Sequence, residues 1–498
     1  MRKRSAFLTC LYLPLWLLIP PLFLAWLPFH LYRCFVRIVA WLFRRDLTTI
    51  LTPSDARFSY DRIYTSPITS MVSTLEVEGE VDPNHIRETW RKQVLEAKVG
   101  NRLLYPELGW TIKTFMGHPF WAKSRIVEDR VRFIPEDVTP EQLLELQISL
   151  TFQPFKEGEP LWEIVIVRRK YDPTVAPSSL VIFRFHHTMT DGNGVFHMFR
   201  KMALPQSKGK LGKKETCTIP PAMNRSPVRY LGMPYDFVAT CREGSRSGCL
   251  VPDTKSWTSL GDNFTPSEAA SHLRFHICEP IPFSRIRQVG AQHGVTGTAV
   301  MHSAILGAMR SSFFPEGTPH SATVMVETNL HPPWRKERPL GNNITKGNYT
   351  APIGELDPLK RLIRTQEALK EMKKSTFPLT RAILFYTLAS VPRRVLQEIN
   401  KRQFGYQRIF IGNLAGPLDK PNFCGYLAKD VFNMTGFYVG YAGLGVVLIT
   451  LGDSLRLGVF ASRNLLPRAG QAEEIARAFV RELDDLQFAN QLQQCIEM

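Results

Sequence analysis

Apolar positions along the chain fall into two regimes. The first is unbroken: Ala6–Phe29 carries no charged residue and is long enough to span a bilayer as a helix. Pro14, Pro20, Pro21 and Pro28 interrupt it, so a straight span and a re-entrant hairpin both remain open. A cleaved signal peptide fits less well, because the run is too long and no A-x-A site follows it. Leu31–Phe43 then sets Arg33 and Arg37 on one face, with Trp41 among the apolar residues, as in an interfacial amphipathic helix. The second regime starts near residue 47, where short alternating runs take over. Met71–Val77, Trp162–Arg168 and Leu180–Phe185 read as strands, and a helix starts at Asp82-Pro83 and runs through Ile86, Trp90, Val94 and Leu95. Residues 205–270 lose periodicity among Pro, Gly, Ser and Lys clusters. Order resumes at His272, with Leu273, Phe275 and Ile277 alternating as a strand. Phe283–Met309 predicts helix with a break marked by Gly290, Gly294 and Gly297, and Arg361–Lys374 predicts another. Val439–Tyr441, Val446–Leu451 and Leu455–Phe460 read as strands. The uncharged stretch Gly436–Gly452 is therefore two buried strands, not a second span. Gln471–Phe488 closes the pattern as a helix with Ile475, Phe479, Leu483 and Leu486 on one face.

These elements divide the chain into an anchor and interfacial helix (1–46), an N-terminal lobe (47–204), a basic linker or crossover (205–270), a C-terminal lobe (271–490) and a tail (491–498). The predicted class is α/β with two lobes. Composition agrees: 44% of the 498 residues are apolar and 21% charged, which excludes a disordered chain or a fibre. Lys+Arg is 62 against 45 Asp+Glu, a formal charge of +17. Much of that excess sits in two places. Seven cations against Asp46 give +6 in residues 1–50, and six cations against Glu215 give +5 in residues 200–220. Neither cluster is an aromatic-interleaved stripe within a folded lobe, so nucleic acid is not the expected partner; an anionic membrane surface is. Eight cysteines show no CxxC pair and no metal-ligand spacing, and at this size they indicate no disulfide scaffold.

The chemistry concentrates in Leu180–Gly194, LVIFRFHHTMTDGNG. A strand ends at His186-His187, and a strand end can project an imidazole into a cleft, where it serves as a general base near neutral pH. Asp191 follows His187 by four positions and can fold back to fix the turn. Gly192 allows a backbone geometry that other residues resist. Adjacent histidines on a strand point to opposite faces and share a metal poorly, so no metal is expected.

HHTMTDG resembles the HHxxxDG signature of the CoA-dependent acyltransferase superfamily, which includes chloramphenicol acetyltransferases, carnitine acyltransferases, condensation domains and the BAHD enzymes. Other blocks, in order along residues 50–490, are similar to the wax ester synthase/diacylglycerol acyltransferase family: LTPSDARF (Leu51–Phe58), PLWE (Pro160–Glu163), LGN (Leu340–Asn342), GNLAGP (Gly412–Pro417), and YAG (Tyr441–Gly443) followed by Asp453. Two blocks depart from the pattern. The T-x-N-D expected near Thr298 reads TAVMH, and the first proline of the S-N-x-P-G-P turn is Ala415. The D-F-G-W-G motif of the BAHD branch is absent.

The resemblance implies two chloramphenicol-acetyltransferase-like lobes around a cleft or tunnel. It implies acyl transfer from acyl-CoA, as co-substrate and with no cofactor, to a long-chain alcohol or diacylglycerol. His187 would be the general base, His186 would support it, and Asp191 would hold the loop and orient His187. No nucleophilic Ser or Cys is required, in keeping with the absence of G-x-S-x-G. A short-acyl or acetyl donor, and a silent lipid-binding protein of the same fold, are the alternatives. The expected location is a membrane, the endoplasmic reticulum with the lobes facing the cytosol, or else the plasma membrane. The sequons at Asn224, Asn263, Asn343, Asn348 and Asn433 would matter only on a lumenal face.

Overall fold

The fold is that of a computed structural model describing residues 11–59, 61–124, 130–169, 176–202, 227–238, 264–313, 322–329, 340–395, 409–436 and 443–497. The apolar N-terminus forms a short 3₁₀ turn, Leu13–Leu18, running into one continuous helix α1 (Ile19–Phe43). This replaces both the re-entrant hairpin and the separate interfacial helix expected at Leu31. Pro14 lies in the 3₁₀ turn and Pro20 and Pro21 in the first turn of α1, where no intrahelical N–H is lost. Only Pro28 is interior, and the helix continues through it.

The N-terminal lobe follows. After β1 (Leu47–Ile50) comes the one-turn helix α2 (Pro53–Ala56), capped by Thr52. The main strands are β2 (Ser70–Glu78), β3 (Val131–Val138), β4 (Trp162–Arg169) and β5 (Ser178–His186). Helix α3 (Pro83–Trp90) starts at an Asp82 cap, and α4 (Pro140–Phe152) at a Thr139–Gln142 capping box. Strand β5 is buried on both faces, which explains its continuous apolar reading. Val181, Phe183 and Phe185 pack with Trp90 and Trp162, while Leu180 and Ile182 pack with Phe410 and Phe460 of the C-terminal lobe. Helix α5 (Gly192–Met202) follows the histidine loop.

The C-terminal lobe opens with α6 (Pro266–His272), which a Thr265–Glu268 capping box starts inside the segment read as linker. His272 thus ends a helix instead of opening the strand. The sheet order is β6 (Leu273–Ile277), β11 (Ser454–Ser462), β10 (Leu444–Leu451), β9 (Ile409–Ala415), β7 (Ala322–Asn329) and β8 (Ile344–Ala351). The helices Phe283–Gln292, Gly297–Phe313, Pro358–Lys374 and Gln471–Glu497 contribute to its core. The predicted strand Val439–Tyr441 lies outside the described residues, as does most of the linker.

One strand departs from the division at residue 271. Tyr426–Thr435 pairs antiparallel with β2, so it completes the N-terminal sheet, in the order 426–435, β2, β5, β4, β3. A local hydrophobic pattern cannot say which sheet a strand joins.

Candidate active site

The end of β5 is held from three directions. The His186 N–H donates to the Leu161 carbonyl at 2.9 Å, inside the PLWE block, and the His187 N–H to the Thr69 carbonyl at 3.0 Å. The two rings then part. His186 is fully buried, with Nε2 3.2 Å from Asp61 Oδ2 and 3.0 Å from Thr69 Oγ1. Its Nδ1 receives the Thr188 N–H at 3.3 Å, so Nε2 is the nitrogen that donates to Asp61. Burial works to raise the Asp61 carboxyl, but His186 and Thr69 together outweigh it and hold it below the ordinary carboxylate range. Neither Asp61 nor Thr69 was singled out by the sequence: Asp61 lies in the mixed polar stretch RFSYDRIYTS, which carries no pattern that marks it.

His187 faces elsewhere. Its ring stacks on Phe58 at 3.9 Å and 8° between planes. Burial pushes its pKa down to about 3, with Arg57 adding to the effect, so the imidazole is neutral over the physiological range. Nδ1 is sealed and makes no hydrogen bond, while the residue keeps partial exposure. With Nδ1 sealed, Nε2 is the nitrogen that a ligand would have to reach.

The loop beyond is pinned by residues from two of the other blocks. Asp191 Oδ1 accepts the N–H groups of Asn193 and Gly194 at 3.0 and 3.2 Å, capping α5, and Oδ2 accepts the Asn343 N–H at 2.9 Å. Asn342 Nδ2 donates to the His187 carbonyl at 2.8 Å. The same Asn342 is fixed by Asp55 Oδ1, which accepts its backbone N–H at 2.8 Å and Nδ2 at 3.1 Å. Thr52 Oγ1 holds the other oxygen of Asp55 at 2.6 Å. LTPSDARF, LGN and HHTMTDG are far apart in sequence and form one hydrogen-bonded unit.

Gly192 serves a different purpose from the one its sequence suggests. It is not in the left-handed region; instead, a Cβ there would meet Leu414 Cδ1 at 2.7 Å. Leu414 belongs to GNLAGP, whose Gly416 is tighter still, since a Cβ would come within 2.0 Å of the Thr450 carbonyl oxygen. In TAVMH, His302 is buried, with Nδ1 2.9 Å from the Tyr349 hydroxyl. Asp453 anchors the start of helix Phe283–Gln292 by accepting the Ser284 N–H and hydroxyl. Tyr441 lies outside the described residues. A cavity of about 240 Å³, lined by Glu76, Leu180, Phe275 and Arg456 among others, sits at the opposite end of β5 and does not include the histidines.

Residues 340–487 match the profile of the family described as WS/DGAT C-terminal domain. The chain is similar to the wax ester synthase/diacylglycerol acyltransferase family. A Mycobacterium tuberculosis protein provisionally named a diacylglycerol O-acyltransferase is 22% identical over 389 residues, 71% of this chain and 74% of that protein, with the same figures in a second strain. Among solved structures, the wax ester synthase/diacylglycerol acyltransferase from Marinobacter aquaeolei VT8 superposes with a TM-score of 0.55 at 15% identity, covering 88% of this chain and 99% of that one. The first condensation domain of the CDA synthetase gives 0.56 at 15%, covering 89% and 97%. At such identities these structures establish the fold alone, a two-lobe α/β architecture shared by both.

Proposed function

We propose that the protein transfers an acyl group from acyl-CoA to the hydroxyl of a lipid acceptor, a long-chain alcohol or diacylglycerol. The observation that carries this reading is His187: its ring stacks on Phe58, its Nδ1 is sealed, and burial keeps the imidazole neutral. The acceptor O–H gives its proton to Nε2 as its oxygen attacks the thioester carbon. The C–S bond then breaks, and the departing thiolate takes the proton from His187. The products are an ester and the free CoA thiol, with no acyl-enzyme between. His186 acts by holding the strand end through Asp61 and Thr69, and Asp191 by fixing the loop to Asn343. The substrate class is supported by the names of the relatives, one for diacylglycerol and one for both acceptors. The reading sets the lobes on the cytosolic side of the endoplasmic reticulum membrane, where acyl-CoA is available.

The test is a donor series from acetyl- to palmitoyl-CoA on purified full-length protein, against hexadecanol and dioleoylglycerol. Ester formation that rises with donor chain length is expected. Turnover confined to acetyl-CoA would replace the substrate assignment, and no ester with any pair would overturn the activity.

A further inference from the structure

The apolar N-terminal helix invites the simple reading of a transmembrane span, being 31 residues of mean hydropathy 1.5 from Leu13 to Phe43. Its contacts point elsewhere. From Trp26 onward α1 rests on the folded body along one strip. Trp26 Nε1 donates to the Thr387 carbonyl at 2.9 Å, and Arg33 donates to the carbonyls of Ala389 and Leu51 at 3.0 and 2.7 Å. Val36 and Ala40 are buried against Phe120. The spacing of these positions follows one face of a helix. At the other end, Trp16 Nε1 donates to the Leu231 carbonyl at 3.1 Å, and Tyr12 packs edge-on against Tyr235 at 5.5 Å. Residues 227–238 are in turn tied to the body, since Asp236 accepts the Thr376 N–H and hydroxyl. The apolar segment therefore touches the same globular body at both of its ends.

Only residues 17–25 between these contacts are exposed on every side. Nine helical residues extend about 14 Å, against about 30 Å of hydrocarbon in a bilayer. A segment this short, with both ends on one body, cannot cross.

We infer that this chain is monotopic: it inserts one apolar ridge into a single leaflet, and its N-terminus returns to the side that carries the lobes. The ridge has two parts. One is the face of α1 opposite that strip, with Leu24, Leu31, Phe35, Ile38 and Leu42 all more than half exposed. The other is the helix Phe377–Leu388, which ends beneath Trp26 and exposes Ile383, Leu384 and Tyr386. The occupant is a lipid surface rather than a protein groove. Arg44 and Arg45 follow Trp41 and Phe43 directly, so aromatic residues meet cations at one end of the ridge, as at a membrane–water boundary. This inference concerns topology and stands apart from the acyl-transfer reading.

The experiment uses the full chain with an epitope tag at each end, reconstituted on sealed phosphatidylcholine–phosphatidylserine vesicles. Protease added outside is expected to remove both tags together. An N-terminal tag protected while the C-terminal tag is cut would overturn the inference. In flotation with the same vesicles, the double substitution Ile383→Glu, Leu384→Glu is expected to lower partitioning at least about tenfold, with an unchanged melting temperature because both side chains are exposed. Unchanged flotation by that variant would remove the second helix from the ridge. A stable dimer that vesicles fail to dissociate would assign the face to a second copy and also overturn the proposal.

Discussion

At the residue scale, two neighbouring imidazoles are sorted by what surrounds them. His187 has a sealed Nδ1 and a stacked ring, so His187→Ala should lower turnover by about 10²–10⁴-fold while leaving the fold intact. Steady-state rates together with a melting curve check this, and near-wild-type turnover would remove the base. The depressed pKa sets the pH behaviour. In the unfolded chain His187 takes up a proton below about 6.5, whereas in the fold it does so only near 3. The unfolded state then binds more protons between these values. The contribution of neutral His187 to stability is complete above about 6.5 and is lost as pH falls toward 3. Melting temperatures measured from pH 7 to pH 4 should therefore fall less steeply in His187→Ala than in the wild type. No acid limb near 6.5 is expected in kcat/KM from this residue.

At the scale of elements, the histidine loop works as a joint between α5 and the 340–343 loop. Asp191→Asn keeps one oxygen but turns an amide toward the Asn343 N–H, setting donor against donor. A loss of about 1–3 kcal/mol is expected, read by chemical denaturation, with activity falling in step. A variant as stable as the wild type yet inactive would give Asp191 a direct chemical part. The two glycines of the neighbouring turn should separate cleanly. Gly416→Ala forces a Cβ onto the Thr450 carbonyl, which is backbone, and should cost about 1–3 kcal/mol or more. Gly192→Ala meets only the methyl tips of Leu414, which can rotate away, and should cost less. Comparing the two midpoints in denaturant decides the matter.

The same joint marks what a sequence can and cannot say. The pair His186-His187 and Asp191 lie within six positions, so their pattern is visible as a unit. Asp61 is 125 positions from His186, and Asn342 is 155 from His187. Nothing local distinguishes them from other polar residues until the chain is folded. Helix positions are legible where caps and periodicity are local: Asp82 begins a helix where the pattern places it, and the predicted Arg361–Lys374 lies within the helix Pro358–Lys374. The docking of α1 is not, because an apolar helix reads the same against lipid and against protein.

At the scale of the whole molecule, α1 joins both lobes, through Leu51 and Phe120 of the first and Thr387 and Ala389 of the second. Deleting residues 1–45 removes Arg33 from the Leu51 and Ala389 carbonyls and uncovers Phe120. The truncated protein should lose at least about 3 kcal/mol of stability, seen as a lower melting temperature in detergent. An unchanged melting temperature would show that the helix is merely laid on the surface.

The strand Tyr426–Thr435 has a consequence for how the protein is made. As the chain leaves the ribosome, β2 emerges about 350 residues before the segment that will pair with it. Throughout that interval the N-terminal sheet has an open edge, with unpaired backbone groups that invite pairing with another nascent chain. Folding of the first lobe therefore waits on translation of nearly the entire message, and the burden of guarding that edge falls on chaperones. A stop codon anywhere before residue 426 should yield aggregate, not a smaller folded product.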